Sequence, residues 1–156
     1  MRNIAKSAIA AALVGLFAGA AIAQSTMAPA DVIKARQANY KKIGGDAKAI
    51  GDELKLDKPD VAKLKASVAD LKTLAAALPT WFPAGSGPEA GVKTAAKPEI
   101  WSDAAGFATA AKNLADATTK LDQLAQAGDV SVMQAQMKNV GMACGGCHTK
   151  YRVKQP

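Results

Sequence analysis

Apolar residues return every three or four positions through most of the chain. Ile33, Arg36, Tyr40, Ile43, Ala47, Ile50 and Leu54 mark one stripe, with Arg36 its only cation. Val61, Leu64, Val68, Leu71, Ala75 and Leu78 mark a second. Ile100, Phe107, Leu114, Leu121 and Leu124 share one phase, and Val132, Met133, Val140 and Cys144 continue the theme in a fourth run. Each run predicts an amphipathic helix with a buried seam near the heptad period. The abundance of alanine and an aromatic content of only 4% fit helix-forming composition. No strand is evident.

Punctuation agrees with four helices. Asp31 follows Pro29 at the first start, Gly51 and the polar stretch to Pro59 separate the first two runs, and Gly128-Asp129 ends the third and opens the fourth. Gly44-Gly45 falls inside the first run, where each glycine costs about 1 kcal/mol relative to alanine. It marks either a bend or a place where a neighbour packs closely. The connection from Pro79 to Lys97 holds Pro79, Pro83, Pro88, Gly85, Gly87 and Gly91. A loop of that length either crosses the bundle or covers something. The fold class expected is all-α: an antiparallel up-down four-helix bundle, one domain over 24–156.

The first 23 residues stand apart. Arg2 and Lys6 precede an apolar run from Ala8 to Ala20, and Ala21-Ile22-Ala23 supplies small-x-small. This is the pattern of a secretory signal peptide cleaved after Ala23. The run falls short of the ~20 residues a membrane span requires, and no cysteine follows it for lipid attachment. The expected location is therefore periplasmic, with no membrane anchor after processing. The formal charge of +7 loses Arg2 and Lys6 with the leader. The remaining excess is modest, scattered and poor in interleaved aromatics, which argues against nucleic acid and suits steering toward an acidic partner.

The chemistry is concentrated in five residues. The chain has two cysteines and one histidine, all within Cys144-Gly145-Gly146-Cys147-His148. Positions 144, 147 and 148 share one helical face. Two thiols so placed can add to the two vinyl groups at one porphyrin edge, and the next residue brings an imidazole under the iron. The spacing is a strong signal for covalent haem c attached at Cys144 and Cys147, with His148 the axial iron ligand. A thioredoxin-like pair calls for a βαβ setting and a helix N-terminus. Structural zinc calls for four ligands. A lone disulfide leaves His148 unexplained.

The chain resembles the class II c-type cytochromes, in particular the cytochrome c′ family. The resemblance rests on the first-helix run Val32-Ile33-Lys34-Ala35-Arg36-Gln37-Ala38-Asn39-Tyr40, on Lys97-Pro98-Glu99-Ile100-Trp101, and above all on the closing run from Val140 to Arg152 around the haem motif. It spans essentially the whole mature chain and implies haem bound between helices near one end of the bundle. Low-spin members take a sixth ligand from a first-helix methionine, four residues after the arginine; high-spin members leave that position open. Here the position is Tyr40, and no methionine occurs between Ala28 and Val132. The resemblance thus implies five-coordinate, high-spin iron with Tyr40 on the distal face, able to bind NO or CO and to carry electrons. Tyr40 screens the site, bonds a ligand, ligates as phenolate, or is plain core. The alternative is a low-spin carrier with an unidentified sixth ligand. An enzyme such as a weak peroxidase would want a second distal histidine, which the chain lacks, so no enzymatic role is expected.

Arg36, a permanent cation on a buried stripe, needs a partner: a haem propionate, or solvent reached by snorkelling. The resemblance implies that Arg36 and Gln37 both lie at the haem edge and that Arg152 corresponds to a basic residue beside the proximal ligand. Thr94 is a further candidate for a propionate contact. Met133, Met137 and Met142 are expected to pack in the core, as are Trp101 and Phe107, with Lys150 and Lys154 solvated. Expected partners are a redox protein and, since many relatives pair through their first two helices, a second copy of the chain.

Overall fold

The computed structural model describes residues 27–154; the leader assigned to residues 1–23 lies outside them. Helices α1 (Pro29–Glu53), α2 (Val61–Ala77), α4 (Ala104–Ala127) and α5 (Val130–Tyr151) form the bundle, and a single turn, α3 (Glu99–Ser102), precedes α4. The connection after α2 contains two 3-10 turns, Leu78–Trp81 and Pro88–Ala90.

Local chemistry sets the helix ends. Proline occupies the first turn of α1, where its missing N–H costs nothing. The Asp60 carboxylate caps α2 by accepting from the amides of Ala62 and Lys63. Gly128, at φ 74°, closes α4 in the left-handed region, and Asp129 immediately caps α5. Two residues therefore reverse the chain between antiparallel helices.

The seams bury as their periods require. Ile33, Ile50, Leu64, Val68, Leu71, Leu121, Met133 and Val140 are all essentially inaccessible. Each such aliphatic side chain contributes about 1.5–3 kcal/mol of burial. Helix α1 packs on α2, α2 on α4, and α4 on α5, while the fourth side, between α1 and α5, has little close backbone approach. There the Gln134 side-chain amide donates to the Leu54 carbonyl at 2.6 Å. That bond lies at the end of the bundle remote from His148.

Several expectations need correction. The third run is not one helix: Asp103 breaks it and its carboxylate caps α4 through the Gly106 amide. Gly51 does not end α1, which runs on to Glu53. Gly44 and Gly45 lie in unbroken helix with open space where a Cβ would stand, so close packing within the chain is not their reason. Val61, Val132 and Met142 face solvent; Met142 is 67% exposed and is no core residue. Arg36 does not snorkel, being buried.

Candidate functional site

Helix α5 presents the motif on its last two turns. Cys144 and Cys147 are free thiols, half-buried and packed against the core, and His148 is exposed. Burial pushes both thiols above their ordinary range. They are therefore protonated at neutral pH, unlike the activated thiol of a redox pair. Partial burial, then the charge of Arg152, lowers the His148 pKa and keeps its imidazole neutral, the form that binds a metal.

Across from the motif stands Tyr40 on α1, half-buried. Burial raises its pKa first, the Cys147 thiol adds to this, and Arg36 only partly opposes them. The phenol thus stays protonated in the fold. Its ring meets Trp81 edge-on at 5.5 Å and Phe82 at 6.4 Å. Phe82 continues to Phe107 at 4.9 Å and to Trp101 at 6.0 Å, and Phe107 to Tyr151 at 5.3 Å. Every aromatic residue of the described chain belongs to this one cluster. Edge-to-face packing of this kind adds about 0.5–1.5 kcal/mol per pair.

Arg36 enters the cluster from below. Its guanidinium lies 4.4 Å from the Phe82 ring centroid. Nη1 donates to the Trp81 carbonyl at 3.3 Å and to Ser86 Oγ at 3.1 Å. Nη2 donates to the Ser86 carbonyl at 2.9 Å and to Thr94 Oγ1 at 3.2 Å. The buried cation is thereby satisfied, although burial still lowers its pKa. Gln37, one residue on, is exposed and donates to the Lys93 carbonyl at 3.0 Å. Arg152 is exposed and ends α5, where Ala96 and Arg152 form an antiparallel bridge flanked by bonds from Lys97 and Val153.

Arg36, Gln37 and Thr94 thus converge on the connection, Tyr40 sits across from the thiols, and Arg152 stands beside His148. Four residues escaped the sequence reading: Trp81, Phe82, Ser86 and Tyr151. The Tyr151 hydroxyl donates to Asp103 at 2.8 Å, and Lys150, exposed as expected, pairs with the same carboxylate at 2.6 Å. Trp81 and Phe82, adjacent in a proline-rich loop, were the available signal, since large aromatics in a polar connection need something to cover.

Two thiols and one imidazole on one helix suit haem c, and the surroundings fit it. An open depression adjoins Cys147 between α4 and α5, bordered by Ala110, Asn113, Met142 and Gly146; Tyr40 and His148 do not line it. Among the described residues no cluster of three His, Cys, Asp or Glu is placed to hold a bare metal ion.

The family model for cytochrome c′ matches residues 31–152. The cytochrome c′ of Alcaligenes xylosoxydans is 39% identical over 128 residues, covering 81% of this chain and 97% of that protein. The cytochrome c-556 of Agrobacterium fabrum is 39% identical over 153 residues, covering 96% and 97%. A nitric oxide complex of a mutant cytochrome c prime from Alcaligenes xylosoxidans superposes with a TM-score of 0.75 at 34% identity, over 83% of this chain and 99% of that one. A cytochrome c′ with ligand-controlled dimer dissociation superposes with a TM-score of 0.76 at 25% identity, over 83% and 100%. The four-helix architecture and these likenesses together place the chain in the cytochrome c′ family, whose cofactor is haem c.

Proposed function

We propose that the protein is an exported, periplasmic monohaem cytochrome, cleaved after Ala23, which binds NO or CO at a five-coordinate high-spin iron and exchanges single electrons with a partner protein. Haem c, when bound, supplies the iron that takes the diatomic ligand and changes oxidation state. The chain's residues do the rest. Cys144 and Cys147 tether the group through their thiols, and His148 gives its neutral imidazole as the one protein ligand.

Tyr40 carries this reading. It stands where a low-spin relative would offer methionine, and a protonated phenol wedged between Trp81 and Phe82 is a poor anionic ligand. Among the described residues α1 carries no methionine, and Met133, Met137 and Met142 all lie on α5, the helix of the motif itself. A distal face of carbon and one hydroxyl admits a small neutral diatomic and offers no acid–base pair for peroxide chemistry. A role as carrier and ligand binder, not enzyme, follows. The nitric oxide complex of the Alcaligenes protein supports NO as a ligand, and the ligand-controlled dimer of another relative supports pairing of two copies. Electron paramagnetic resonance of the ferric protein tests the coordination: a high-spin signal is expected, and a low-spin signal contradicts it.

A further inference from the structure

We propose that Arg36 acts as the latch of the connection that packs the distal residue Tyr40, and is thereby a positioning residue for ligand access. Every hydrogen bond recorded for its guanidinium goes to residues 81–94: two to Ser86, one to the Trp81 carbonyl and one to Thr94. Four of the five N–H donors are thus used. The cation also lies on the face of Phe82, and Phe82 and Trp81 are the two rings that bracket Tyr40.

Neighbouring bonds have the same direction. Ser86 Oγ donates on to the Pro83 carbonyl at 2.8 Å, Thr94 Oγ1 accepts from the Ala96 amide at 3.2 Å, and Trp101 Nε1 donates to the Phe82 carbonyl at 3.1 Å. The connection is therefore a folded strap whose centre is a buried charge on α1, one turn before Tyr40. Releasing that charge frees Trp81 and Phe82, and with them the Tyr40 ring.

This inference rests on Tyr40 being distal, and its test separates the two. Ser86→Ala removes a partner of Arg36, and Arg36→Gln removes the fork itself. Amide hydrogen exchange over residues 81–94 and CO rebinding after flash photolysis are measured on the ferrous holoproteins. Ile50→Val, in the core away from the strap, serves as a destabilised control. The latch predicts about tenfold faster exchange in the strap for both variants and CO association several-fold faster, with CO dissociation and the control nearly unchanged. A midpoint potential that shifts in Arg36→Gln while strap exchange stays at the wild-type rate in both variants overturns the latch and leaves Arg36 acting on the haem alone. A Ser86→Ala protein with wild-type exchange and wild-type CO association overturns the latch, even if Arg36→Gln fails to fold. A wild-type protein that binds no CO overturns the open-iron reading, and the exchange arm still decides the latch.

Discussion

The ring of Tyr40 stands edge-on to the ring of Trp81, their centroids 5.5 Å apart. The α1 residue across from Cys144 and Cys147 is thus held by the connection as well as by its own helix. On the proposed reading, ligand access depends on two segments 41 positions apart in sequence.

Replacing Tyr40 by methionine should supply the missing sixth ligand. The expected result for Tyr40→Met is a low-spin absorption spectrum, a raised potential and loss of CO binding. Tyr40→Ala should do the reverse, speeding CO association by about tenfold or more, because a wedged ring is removed. An unchanged association rate in Tyr40→Ala would show that the ring does not stand over the iron.

Covalent attachment should depend on both thiols. Cys144→Ser and Cys147→Ser are each expected to leave one thioether, seen as a shifted pyridine-haemochrome band. The double variant should release its haem to acidified solvent. Retention of haem by the double variant would contradict attachment at these positions.

Glycine positions should divide into two classes. A Cβ at Gly106 would collide with the Asp103 carboxylate and stand 2.5 Å from the Tyr151 hydroxyl, so Gly106→Ala should cost about 1–3 kcal/mol in urea unfolding. Gly44 and Gly45 have open space within the chain, and alanine there should add about 0.5–1 kcal/mol each. A stabilising Gly106→Ala would mean that the Asp103–Tyr151 junction is not rigid.

Acid should uncouple α2 from α4. Lys72 pairs with Asp122 at 2.5 Å, and this hydrogen bond, ahead of a smaller one from Gln126, lowers the Asp122 pKa. A carboxyl depressed by folding stabilises above its unfolded value of about 3.9 and loses that contribution as pH falls through its folded value. Asp122→Asn should therefore be less stable than the parent at pH 6, and the difference should close as pH drops below about 4. A constant difference would assign the effect to packing.

Much of this was written in the chain. The three-and-four spacing placed Ile33, Leu64, Leu121 and Val140 in the core because burial follows helical period. The motif stood out because the chain's two cysteines and one histidine all fall within five residues, whereas Tyr40 was singled out only through the family resemblance. What was not readable depended on distance in sequence. The break at Asp103 reflects a carboxylate shared among Gly106, Tyr151 and Lys150. The partners of Arg36 lie 45 to 58 positions away. Met142 faces solvent although it neighbours the motif, because the buried face of α5 is narrow there.

The most direct test of the account is the visible spectrum of the dithionite-reduced protein before and after CO. Tyr40 over an open iron predicts a broad high-spin spectrum that changes sharply on adding CO. A sharp low-spin spectrum indifferent to CO would mean that a sixth ligand holds the iron, contradicting the distal role of Tyr40.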